Sequence, residues 1–136
     1  MLQVIHVSGN SLEEIFENSA HALFGKIYNK KISSKKIKKI KIIAKDRKSL
    51  LLGFIEELSY LLEAGNFYTK DIKNILIMGV PHVQGTRKFY NLELRANLHG
   101  DDAPPNLKYP HLSQPIIIKE VAGKEQKFIA EISIHS

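Results

Sequence analysis

The chain has 136 residues, 43% of them hydrophobic and 25% charged, which is enough to build a core within one domain and excludes a wholly disordered chain. It has no cysteine, which excludes disulfides, thiolate metal sites, iron–sulfur clusters and cysteine nucleophiles. The formal net charge of +6 is unevenly placed: residues 26–48 hold eleven basic residues and one acid, Asp46, against nine basic and thirteen acidic residues elsewhere. A local excess of this kind fits an anionic partner such as RNA, DNA or an acidic protein face, and equally a solvated face.

Residues 2–7 read as a strand, closed by Gly9-Asn10. Ser11-Leu12-Glu13-Glu14 has the form of a capping box. Leu12, Ile15, Phe16, Ala20, Leu23, Phe24 and Ile27 follow at spacings of three and four, predicting a helix over roughly residues 11 to 28. A basic connector leads into residues 37–44, where Ile40, Ile42 and Ala44 alternate with lysines as in a half-buried strand. Ile37 and Ile43 break the parity, so a bulge or a partly covered outer face is expected. Asp46 is placed as the N-cap of a second helix, whose stripe is Leu50, Leu51, Phe54, Ile55, Leu58, Leu61 and Leu62 and whose end is Ala64-Gly65-Asn66.

Strands are then expected at residues 72–78, before Gly79-Val80-Pro81, and at about residues 89–98. Residues 99–115, with four prolines, read as a long irregular loop, and residues 116–121 and 127–134 as a hairpin about Ala122-Gly123. No repeat or linker divides the chain, so a single domain over residues 1–136 is expected. The order β-α-β-α followed by strands gives an α+β fold, with two helices packed on one face of a mixed or antiparallel sheet of about six strands.

Among the six histidines none forms an H-x-x-x-H pair. His21 lies near the edge of the first helix's apolar face and reads as a packed or surface imidazole rather than a ligand. The set His99, Asp101, Asp102 and His111 is the best imidazole and carboxylate cluster for a divalent cation, although Asp-Asp before Ala-Pro-Pro is also ordinary turn chemistry. The glycines form no phosphate-binding motif, and there is no G-x-S-x-G nucleophile elbow. Tyr28, Tyr60, Phe67, Tyr68, Phe89, Tyr90 and Tyr109 offer rings for base stacking, but core packing accounts for most, and none interleaves with the lysine run.

Two blocks resemble the archease family: Gly9 to Phe24, with Asn10-Ser-Leu-Glu-Glu-Ile-Phe-Glu-Asn18 inside it, and Ala44 to Glu63 followed by Asn66-Phe-Tyr68. Towards the end, His111, Ile118-Lys119 and residues 128–134 are similar to the family's H…V-K-A and final strand. The resemblance implies a small α+β protein that is not an enzyme. It implies a protein cofactor of an RNA-splicing ligase, promoting guanylylation and turnover of an enzyme that joins tRNA halves with GTP and a divalent metal. It also implies a divalent cation such as calcium, but the acidic ligands are not matched: Leu2 stands where the aspartate of H-T-A-D would fall, and the closing D-I falls near His135-Ser136. The T-Y-H after V-K-A is likewise unmatched at Ala122-Gly123-Lys124. No catalytic or metal residue is therefore assigned, and no cofactor is expected.

The expected partners are an RNA-splicing ligase or a related protein, and tRNA. The alternative is a small basic nucleic-acid-binding domain that uses the Lys30–Lys48 segment, with Lys30, Lys31, Lys35, Lys36, Lys38 and Lys39 as its anion-binding residues. No apolar run approaches the ~20 residues of a membrane span. The first eight residues lack the basic start, long apolar stretch and cleavage site of a secretory signal. A cytoplasmic protein with no membrane partner is expected.

Overall fold

The computed structural model describes residues 2–24, 34–103, 116–124 and 127–135. The elements in chain order are β1 (Leu2–Gly9), α1 (Leu12–Phe24), β2 (Lys36–Ala44), α2 (Arg47–Glu63), β3 (Phe67–Gln84), β4 (Arg87–Asp102), β5 (Ile116–Lys124) and β6 (Lys127–His135).

Both helices start where their capping residues place them. The Glu14 amide donates to Ser11 Oγ at 3.1 Å, and the Ser49 amide donates to Asp46 Oδ1 at 2.8 Å. These are the side-chain caps that satisfy amides of the first turn. The backbone hydrogen bond from Ser49, with its side-chain partner and the charges of Lys45 and Lys48, holds the Asp46 carboxyl below its ordinary range. Asn18 Nδ2 donates to the Ser8 carbonyl at 2.9 Å and fastens α1 to the end of β1. At the far end of α2 the Ala64 and Gly65 amides both donate to the Tyr60 carbonyl, and the chain turns away through Asn66 at φ 51°. The expected first helix holds as far as Phe24; residues 25–28 lie outside the described residues.

The apolar stripes meet in one core. Ile15, Phe16, Ala20, Leu23 and Phe24 of α1 are buried, as are Leu50, Leu51, Phe54, Ile55, Leu58 and Leu62 of α2. The Phe16 and Phe54 rings lie 5.8 Å apart at a tilted angle, a favourable geometry for two aromatic quadrupoles. Ser19 is also buried, and its hydroxyl is satisfied by the Ile15 carbonyl at 2.7 Å.

The α+β class, the two helices and the six strands are as expected. Hydrogen bonding divides the strands into two antiparallel three-stranded sheets, in the orders β1-β6-β5 and β2-β4-β3. α1 packs on β1, β6 and β3, while α2 packs on β5, β2, β3 and β4. The core therefore takes Ala130 and Ile132 from one sheet and Leu94, Ala96 and Leu98 from the other.

Four local expectations are corrected. Gly79-Val80-Pro81 does not end a strand; β3 runs through it to Gln84. The turn is Gly85-Thr86, closed by the pair Gln84–Arg87, with Gly85 at φ 63° as a two-residue hairpin with glycine first requires. Likewise Ala122 and Gly123 pair with Ile129 and Phe128, so β5 continues to Lys124. His99, Asp101 and Asp102 lie in β4 rather than in a loop. Finally, β2 pairs with β4 without a register shift, so Ile37 and Ile43 simply stand exposed on its outer side.

Candidate functional site

β2 is an edge strand, and its alternation decides where the lysines go. Lys36 and Lys38 share the side of Ile40, Ile42 and Ala44, whereas Ile37, Lys39, Lys41 and Ile43 take the outer side. Lys36 Nζ donates to Asp102 Oδ1 at 2.6 Å, and that hydrogen bond raises its pKa above the ordinary lysine value. Lys38 Nζ sits 5.0 Å from the centroid of the buried Phe67 ring. Lys35 precedes the strand and is exposed. Lys30 and Lys31 lie outside the described residues. The strand thus separates Lys36 and Lys38 from Lys39.

The outer side of the β2-β4-β3 sheet gathers cations that the sequence does not place together. Lys39 and Lys41 of β2, Asn74 of β3, and Arg95 and Asn97 of β4 line a shallow groove of about 440 Å³. At its edge Glu93 accepts from Lys41 Nζ at 3.2 Å and from Arg95 Nε at 3.1 Å, with its side chain only 6% exposed. Burial opposes ionisation of Glu93. The Lys41 hydrogen bond and the Arg95 charge outweigh it, holding the carboxyl below its ordinary range. Arg95 and Glu93 are two apart on one strand, a spacing readable from sequence; their contact with Lys41 depends on the β2–β4 register.

The imidazole and carboxylate cluster expected at residues 99–111 does not converge among the described residues. Adjacent strand residues point to opposite faces, so Asp101 and Asp102 diverge, and Asp102 is taken by Lys36. His111 lies outside the described residues. The donors that do approach one another are Glu17 and His21, one turn apart on α1, and Asp71 on β3, with ligand atoms within 4.8 Å of one another. Glu17-x-x-x-His21 is visible as an i, i+4 pair. Asp71 is not, because the fold supplies it from another element.

Leu2 and His135 are partners across the β1–β6 ladder. The resemblance sets these two positions against the family's acidic ligands, and the ladder brings them opposite each other. An aliphatic side chain and an imidazole do not make the oxygen-donor set that calcium requires. These residues do not fit the ion.

Among the described residues no helix is long and apolar enough to cross a membrane. Residues 3–122 match the model of the Archease protein family (MTH1598/TM1083). The chain is 31% identical over 103 residues to the protein archease of Pyrococcus abyssi, covering 75% of this chain and 66% of that one. It is 39% identical over 56 residues to the protein archease of Methanosarcina acetivorans, covering 40% and 38% respectively. The matched region thus spans less than two thirds of either curated relative. The solution structure of Methanobacterium thermoautotrophicum protein 1598 superposes with a TM-score of 0.62 at 16% identity, over 99% of this chain and 98% of that one, and shows the same fold. By the family match over most of its length, this chain belongs to the archease family.

Proposed function

We propose that this protein is a protein cofactor or modulator of an RNA-splicing ligase that joins tRNA halves, acting in the cytoplasm by contact with the ligase and not as an enzyme itself. The observation that carries the reading is the family match over residues 3–122. The α1 and α2 blocks that carry the resemblance are also the blocks that build the core, so the shared scaffold supports the reading. The resemblance sets Leu2 and His135 at the family's acidic positions, so this reading includes no divalent cation. The test is direct association. The tagged chain should co-purify with an RNA-splicing ligase from the same cells and bind it after both are purified. Failure to bind the purified ligase would contradict the proposal.

A second reading, a small basic domain that binds nucleic acid through the Lys30–Lys48 segment, is favoured by one observation. Lys39 and Lys41 project from an uncovered sheet face beside Arg95.

A further inference from the structure

We propose that the outer face of the β2-β4-β3 sheet, together with the β3–β4 ribbon that extends from it, is a platform for a single-stranded polynucleotide. The inference rests on the second reading above and names its site; it is independent of the ligase.

β2 covers β4 only from Leu92 to Gly100. Beyond Leu92, β3 and β4 continue as a two-stranded ribbon in which residues 81–90 are all exposed. Register partners share a face, so one side carries Lys73 with Asn97, Leu76 with Arg95, Met78 with Glu93, Val80 with Asn91, His82 with Phe89 and Gln84 with Arg87. β2 adds Lys39, Lys41 and Ile43 to the same side. Between Arg87 and Asn97 this strip runs about 34 Å, at 3.4 Å per residue.

Its chemistry is complementary to a polyanion with exposed bases. Lys39, Lys41, Lys73, Arg87 and Arg95 supply positive charge along the strip. The one acid among them, Glu93, is already occupied by Lys41 and Arg95. Lys39, Lys73 and Arg87 form no ion pair among the described residues. On the ribbon the Phe89 and His82 rings lie 4.8 Å apart, and Phe89 remains 38% exposed. An open sheet with an exposed ring and flanking cations stacks unpaired bases while the cations follow the backbone. A duplex keeps its base faces internal and gains nothing from the ring. Asn74 and Asn97 in the groove offer both donors and acceptors to base edges.

The test is fluorescence anisotropy with an oligouridylate and an oligothymidylate of about ten nucleotides, from ~50 to ~200 mM salt. The two probes separate RNA from DNA, and duplex RNA is the control. Wild type should bind both single strands, or the RNA strand, more tightly than the duplex. Replacing Lys39, Lys73 and Arg87 with glutamine should flatten the log–log salt slope by about 2, at ~0.7 per phosphate contact on a single strand. Phe89→Leu should weaken binding roughly 10- to 100-fold, whereas Phe89→Tyr, which keeps a ring, should not. Unchanged melting curves establish that the variants fold. Duplex binding as tight as single-strand binding, or Phe89→Leu binding like wild type, overturns the platform. So does a loss seen only when Lys30, Lys31 and Lys35 are replaced, an outcome that leaves the second reading standing. No binding at ~50 mM salt sinks both, and a face that takes the ligase but no oligonucleotide assigns it to protein instead.

Discussion

Lys41 reaches across the β2–β4 ladder to Glu93, with 3.2 Å between ammonium and carboxylate, and the Glu93 side chain is nearly out of contact with water. Glu93 is ionised at neutral pH because Lys41 and Arg95 face it, and its folded-state pKa lies below its ordinary value of 4.5. A depressed carboxyl pKa gives stability that is fully present above the ordinary value and is lost as pH falls through the folded-state value. Glu93→Gln should therefore lower the denaturant midpoint at neutral pH. The gap to wild type should narrow as pH drops below 4.5. Urea titrations across that range measure it; a gap independent of pH would mean that the carboxylate charge contributes nothing.

Leu58 of α2 is 4% exposed, within the cluster that joins the two helices to both sheets. Leu58→Ala removes buried methyl groups and leaves a cavity, at a cost of ~2–5 kcal/mol. Phe54→Ala, which also loses the ring contact with Phe16, should cost about 3–5 kcal/mol. Thermal or denaturant unfolding checks both. A near-neutral shift would contradict the placement of α2 at the centre of the core.

Gly100 lies in β4 between its partners Lys36 and Thr69. A Cβ there would run into the carbonyl oxygen of Tyr68 and crowd the Phe67 ring. The obstacle is backbone, so a rotamer change gives no relief, and Gly100→Ala should destabilise by ~2 kcal/mol or more. Gly79→Ala, where nothing lies within 4 Å, is the control and should be nearly silent.

Both helices were legible in the sequence because their signals are local. Ser11 and Asp46 mark the starts, and the apolar residues repeat at three and four. The strand ends were harder. Gly79 and Pro81 read as a stop, yet Gly79 sits at the root of the ribbon, opposite Leu92, where an added Cβ would meet nothing within 4 Å, and Pro81 lies in the exposed ribbon itself, paired with Tyr90. The true turn, Gly85-Thr86, was written in the sequence but lacked the Asn-Gly or Asp-Gly form that marks such turns most strongly. The prolines beyond Asp102 made residues 99–102 look irregular, although they are the end of a long strand. Nonlocal groupings were not legible at all. The joining of Lys41 to Glu93, and of Asp71 to Glu17 and His21, depends on register and packing that no spacing encodes.

Caps, a shared apolar core and two sheets account for the described elements, so the fold is expected to hold without a divalent ion. Chelation with EDTA should leave the melting temperature unchanged. A drop on chelation that zinc restores, and that His21→Ala abolishes, would instead place a structural metal at Glu17, His21 and Asp71.

A chain that assists an RNA-splicing ligase, as proposed, must change ligase turnover. Purified ligase is given tRNA halves in excess, with GTP and its divalent metal, and joined product per enzyme is followed with and without this protein. Added protein should raise the guanylylated fraction of the ligase and the number of turnovers, and the protein alone should join nothing. Unchanged turnover with a ligase that binds it, or joining by this chain in the absence of the ligase, would contradict the proposed role.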